Sequence, residues 1–136
     1  MSIVELTHVT KTYGGHTAVD DLSLVVPEGS LYGFIGPNGS GKTTTIRTIL
    51  RIIHPDSGTV RVLGNDSASA ANDHLGYLPE ERGLYKKLTV RRMLHYYAQL
   101  KGMSSAAAKG VVDEWLERFE LTDWVSKKIE TLSKGM

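Results

Sequence analysis

Gly36-Pro37-Asn38-Gly39-Ser40-Gly41-Lys42-Thr43 is the stretch whose residue types and spacing could do chemistry. A glycine, four residues, a second glycine, a lysine and a threonine form a pattern suited to phosphate. Glycines let the backbone curl until successive N–H groups point inward at phosphate oxygens. Lys42 is placed to reach the β- and γ-phosphates as a point charge, and the Thr43 hydroxyl to ligate Mg²⁺. A helix opening at the same place adds the positive end of its dipole. The candidate nucleotide contacts are therefore Gly36, Asn38, Gly39, Ser40, Gly41, Lys42, Thr43 and Thr44, with Lys42 also the candidate catalytic cation.

Such a loop must follow a buried strand and open a helix. Leu31-Tyr32-Gly33-Phe34-Ile35 is short and mostly apolar, which predicts the strand. Ile46, Ile49, Leu50 and Ile53 then recur at i, i+3, i+4 and i+7, one face of a helix over 44–53. The turn residues His54-Pro55-Asp56-Ser57-Gly58 end it.

The remaining elements follow from the same patterns. Residues 2–10 read as a strand with loose patterning, and 11–17 as a loop with Gly14-Gly15 at its tip. Leu22, Leu24 and Val26 alternate with Asp21, Ser23 and Val25, a half-buried strand. Thr59 to Leu63 is β-branched between glycines, and Leu75 to Leu78 is short and apolar; both read as strands. Residues 65–72 read as a loop or weak helix. Thr89 is placed as the N-cap of a helix whose face carries Val90, Met93, Leu94 and Tyr97. A second helix is predicted from about Ser105 to Phe119, with Ala108, Val111 or Val112, Trp115 and Phe119 inward.

Bulk properties narrow the class. The chain has 136 residues, enough for one core, and a formal net charge of +1, which argues for no nucleic-acid partner. It has no cysteine, so disulfide and thiolate chemistry are excluded. No apolar run approaches the roughly 18 residues of a membrane span, and the N-terminus carries no signal-peptide pattern. The five histidines show no metal-ligand spacing.

With the phosphate loop in place, further motifs line up in a fixed order, and together they resemble the ATP-binding subunit of ABC transporters across the whole chain. Lys11-Thr12-Tyr13-Gly14 lies where that family carries an aromatic residue against adenine. The resemblance makes Tyr13 the adenine platform, with Val19 near the base and ribose; a flat π-face binds a purine without hydrogen bonds. Gly76-Tyr77-Leu78-Pro79-Glu80 lies where the family has its Q-loop. Glu80 stands in place of the usual Gln and would contact Mg²⁺, a hard cation that takes oxygen ligands. Leu132-Ser133-Lys134-Gly135-Met136 looks like the ABC signature, normally Leu-Ser-Gly-Gly-Gln: Ser133 and Gly135 match, Lys134 and Met136 depart. The resemblance implies that Ser133 and Gly135 meet the γ-phosphate of ATP held by a second subunit. The stretch 76–90 further resembles exporters of the sodium- and drug-extrusion type.

The resemblance implies an α/β fold: a P-loop NTPase (RecA-like) core, truncated, with an N-terminal antiparallel β subdomain and a partial α-helical subdomain. Residues 1–80 would hold the β subdomain and P-loop core, and 81–136 the helical subdomain ending at the signature. ATP and Mg²⁺ are the implied cofactors. The implied partners are a second ATP-binding subunit and a transmembrane permease subunit, with no nucleic acid, at the cytoplasmic face of the cell membrane.

In the family, the metal-holding Asp, the general-base Glu and a switch histidine follow the signature, and residues 1–136 end there. The expectation is that this chain binds ATP without turning it over. Val111-Val112-Asp113-Glu114 imitates the missing strand end, but its neighbours fit an amphipathic helix with both acids in solvent. Alternatives stay open: a non-transport ABC-type ATPase acting on nucleic acid, an unrelated P-loop kinase or GTPase, or an inactive fragment that only binds nucleotide. The chain lacks the Asn-Lys-x-Asp motif that reads guanine.

Overall fold

Leu, Val and Thr dominate the first strands, and they form a three-stranded antiparallel sheet. β1 (Ser2–Tyr13) pairs with β2 (His16–Pro27) on one side and β3 (Ser57–Val62) on the other, giving the order β2-β1-β3. The computed structural model describes residues 2–66, 74–79, 83–133 and 135, which fall into two units, Met1–Leu78 and Pro79–Met136.

In the first unit, β1 is longer than its pattern predicts, and 11–13 belong to it and not to a loop. A two-residue turn at Gly14-Gly15, both with positive φ, joins it to β2. The loose patterning of β1 has a physical cause. The register slips between Leu6 and Val9, and His8 takes a φ of 51°. The extra residue lets Leu6 and Val9 face the same core although they are three apart. They pack with Val19, Val60 and Val62, and with the half-buried Leu22, Leu24, Ile49 and Leu75.

α1 (Lys42–Ile49) packs on β2 and β3. Its buried residues are Thr45 and Thr48, whereas Ile46 is exposed. The hydroxyl of Thr45 donates to the Gly41 carbonyl at 2.9 Å and that of Thr48 to the Thr44 carbonyl at 2.8 Å, so both enter the core with their polar atoms satisfied.

The predicted strands at 31–35 and 75–78 are absent: both segments are irregular, and Leu31, Ile35 and Leu78 are almost fully exposed. A strand exists only with a neighbour to bond to. No described segment pairs with either run.

In the second unit, α2 (Val90–Leu100) and α3 (Ser105–Arg118) pack on each other. Thr89 caps α2 by accepting from the Arg92 N–H, and Ser104 caps α3 by accepting from the Ala107 N–H at 3.2 Å. After α3 the chain returns to the start of α2 through two short 3₁₀ turns, Thr122–Trp124 and Ile129–Thr131. The Val90 N–H donates to the Lys127 carbonyl at 3.0 Å and the Ile129 N–H to the Leu88 carbonyl at 2.9 Å. This return seats Ile129 with Val90, Met93, Val112 and Leu116.

Trp115 and Phe119 are 45% and 64% exposed, against the inward reading. The core-facing row is Ala108, Val112, Leu116, spaced i, i+4, i+8. Trp115 and Phe119 stack on each other at the surface, their centroids 5.6 Å apart. Asp113 and Glu114 lie on α3, as their helical reading holds; Glu114 is exposed, but Asp113 is half-buried and pairs with Arg91 instead of facing solvent alone.

Candidate functional site

Two glycines set the loop at 36–43: Gly41, where backbone leaves no room for a side chain, and Gly36, where the Ser40 hydroxyl would have to turn away. Gly41 has φ 84°, and a β-carbon there would stand 2.2 Å from the Ala18 carbonyl oxygen. A β-carbon on Gly36 would meet the Ser40 hydroxyl at 2.6 Å. β2 is thus the wall on which the loop rests. Val19, buried in that wall, has a methyl 3.3 Å from the same β-carbon position on Gly41.

The start of α1 differs from the starts of the other helices. Its N-cap is Gly41, with no side chain to accept a hydrogen bond, whereas Thr89 and Ser104 cap the other two. The first N–H satisfied inside the helix is that of Thr45, on the Gly41 carbonyl at 2.8 Å. Ser40 spends its N–H on Pro37, at 3.3 Å. Among the described residues, the N–H groups of Gly39, Gly41, Lys42, Thr43 and Thr44 find no acceptor. Five unspent donors at the positive end of a helix dipole suit an anion.

Lys42 adds its charge to this end, where a helix dipole by itself would repel it. The loop's own oxygens hold it in place: Nζ donates to the Gly36 and Pro37 carbonyls, both at 2.6 Å, and lies 3.4 Å from the Ser40 hydroxyl. The ammonium is fixed across the loop by neutral acceptors, and among the described residues no carboxylate pairs with it. Thr43 is exposed beside it, and Asn38 lies in the tight turn at the loop's tip. This donor set fits a polyphosphate: N–H groups, one ammonium and one accessible hydroxyl. Among the described residues, no three His, Asp or Glu side chains gather to hold a metal.

Tyr13 closes β1 at the hairpin turn and is 47% exposed. The Lys11 ammonium lies over that ring, 5.4 Å from its centroid. Asp56 accepts from Lys11 Nζ at 2.6 Å and from the Thr12 N–H at 2.7 Å. These two bonds hold the Asp56 carboxyl below its ordinary pKa, the Lys11 bond being the larger cause.

The structure thus brings Gly36 to Thr44 together with Val19 on one hairpin wall, and the same hairpin carries Tyr13 at its tip. Ser133 and Gly135 are exposed in the second unit, just after Leu132, which packs on that unit's core. Glu80 lies outside the described residues, as does Lys134 of the signature stretch. Sequence reasoning missed Ala18, Lys11 and Asp56. Lys11 and Tyr13 at i and i+2 could have been read as sharing one strand face. Nothing local marks Asp56 as more than a turn residue.

Comparison with known proteins follows the same lines. The family described as "ABC transporter" matches residues 19–136. An uncharacterized ABC transporter ATP-binding protein, YhaQ of Bacillus subtilis, is 47% identical over 133 residues, which are 98% of this chain and 45% of that protein. The Nod factor export ATP-binding protein I of Paraburkholderia xenovorans is 38% identical over 136 residues, again 98% of this chain and 45% of the relative. A solved ATP-binding subunit of an ABC transporter superposes with a TM-score of 0.80 at 29% identity, covering 98% of this chain and 57% of its own. The chain therefore spans about half the length of the proteins it matches.

Proposed function

The chain belongs to the ABC transporter family, as a segment of the ATP-binding component, and from that premise we propose that it grips ATP by its phosphates and, in the full-length subunit, powers transport. The observation that carries this reading is the loop at 36–44: five unspent N–H groups around a lysine ammonium that the loop itself holds. In this account those N–H groups and Lys42 take the β- and γ-phosphates. The Thr43 hydroxyl would hold Mg²⁺, with Glu80 as a further candidate. When bound, the cation neutralises charge between the two phosphates. Gly41 packs on Ala18, so the loop lies against β2.

The adenine lies against Tyr13, with Val19 beside the sugar. Ser133 and Gly135 reach the γ-phosphate held by a second subunit, so that two chains close on two nucleotides. Closure is driven by contacts that ATP makes and ADP lacks. Hydrolysis belongs to the full-length subunit, of which this chain spans about half. The exposed Leu31 and Ile35 suit a core strand that takes its neighbours from that remainder. A permease subunit carries the substrate, and the direction we propose is export, in line with the relatives named for Nod factor export. No described helix is long and apolar enough to cross a membrane. By its family, the place we propose for this component is the cytoplasmic face, through its partner.

Calorimetric titration of ATP with Mg²⁺ into the protein tests the reading. Saturable binding that weakens by about 10- to 100-fold in Lys42→Ala supports it; an affinity unchanged in Lys42→Ala overturns it.

A further inference from the structure

Asp56 stands between the end of α1 and the first residue of β3, and it holds three consecutive residues of β1. Its N–H donates to the Thr10 carbonyl at 2.8 Å, and its carboxylate accepts from Lys11 Nζ at 2.6 Å and from the Thr12 N–H at 2.7 Å. The next residue is Tyr13. Among the described residues, no other side chain from outside the hairpin hydrogen-bonds the tip end of β1. The Lys11 side chain is only 17% exposed, because it bends onto this carboxylate while its ammonium lies over the Tyr13 ring.

We propose that Asp56 is a positioning residue for the nucleotide base: it holds Lys11 against one face of Tyr13 and leaves the other face fixed and open for a purine. This rests on the reading of Tyr13 as the base platform. A tyrosine at a hairpin tip is otherwise free to swing about χ1, and stacking on a mobile ring costs the entropy of stopping it. Asp56 removes that freedom in two ways. It pins the backbone one residue before the ring, and it keeps a cation in contact with one ring face, a contact of the cation–π kind. It also follows α1, whose first turn lies at the phosphate loop. One segment therefore links the end that grips phosphate to the end that meets the base.

Competition binding with two ligands separates this role from simple support of the fold. ATP carries a base; inorganic triphosphate carries only the phosphates. Tyr13→Ala and Asp56→Asn are each expected to weaken ATP by about 5- to 20-fold, within the range for losing a base–aromatic stack, and to leave triphosphate unchanged. The double variant should be no weaker than Tyr13→Ala alone, since both act through one contact. Asp56→Glu, which restores the carboxylate, should recover part of the loss. ATP affinity unchanged in Asp56→Asn, while Tyr13→Ala weakens it, overturns the inference and spares the platform. Equal weakening of ATP and triphosphate in Asp56→Asn overturns it too, by showing that Asp56 supports the whole unit. No effect of Tyr13→Ala on ATP overturns the platform reading itself.

Discussion

Gly41 and Ala18 touch so closely that no other residue fits at Gly41: a β-carbon there would stand 2.2 Å from the Ala18 carbonyl oxygen. The contact ties the phosphate loop to the wall of β2, and φ 84° at Gly41 opens the helix behind it.

Gly41→Ala should therefore abolish binding of ATP and of inorganic triphosphate alike. The variant meets a left-handed backbone that costs an L-residue about 1–2 kcal/mol, and backbone atoms that cannot swing away. Equilibrium dialysis with both ligands checks this, with far-UV circular dichroism confirming that β1 to β3 persist. Retained triphosphate binding would contradict it.

Lys42→Ala removes the one cation fixed across the loop. An ionic hydrogen bond contributes about 1.5–3 kcal/mol, so ATP affinity should fall by about 10- to 100-fold. Thermal stability should change little, because among the described residues Nζ bonds to the loop's own oxygens alone. Calorimetry and a melting curve on the same sample read the two effects apart.

The second unit offers tests of its own. Thr89→Ala and Ser104→Ala each remove a helix cap and should cost about 1 kcal/mol. Leu116→Ala empties a fully buried site and should cost about 2–5 kcal/mol. Both tryptophans, Trp115 and Trp124, lie in this unit, so their emission during urea unfolding follows it.

Asp56 makes the first unit sensitive to acid. Its carboxyl is held below its ordinary value of 3.8, first by the Lys11 hydrogen bond and then by the Thr12 N–H. A depressed folded pKa means that the unfolded chain takes up the proton first. The contribution is complete above the unfolded value near 3.8 and is lost as pH falls through the folded value. Acid titration followed by circular dichroism should show the wild-type protein losing more stability below that point than Asp56→Asn loses. Parallel curves would contradict the assignment.

What was legible in the sequence was what short spacing encodes. The turn that opens a helix at Lys42, the Thr89 cap and the alternation of Leu22, Leu24 and Val26 depend on residues a few positions apart, and each stands where the pattern put it. The failures share one cause, dependence on distant chain. Leu31 to Ile35 carries the composition of a buried strand, but no described neighbour supplies a ladder for it. Trp115 and Phe119 are apolar enough for a core, but the partner helix and the returning tail select the Ala108, Val112, Leu116 row instead. Asp56 reads as a turn residue because its three bonds reach 44 to 46 positions back along the chain.

The central claim is that the backbone from Gly39 to Thr44 grips phosphate, and amide chemical shifts test it most directly. Inorganic triphosphate titrated into ¹⁵N-labelled protein should move the N–H signals of Gly39, Gly41, Lys42, Thr43 and Thr44 downfield, as each donor gains an acceptor. The signal of Ser40, already spent on Pro37, should move less. If triphosphate binds and these five signals stay still while others move, the loop is not the cradle and the account fails.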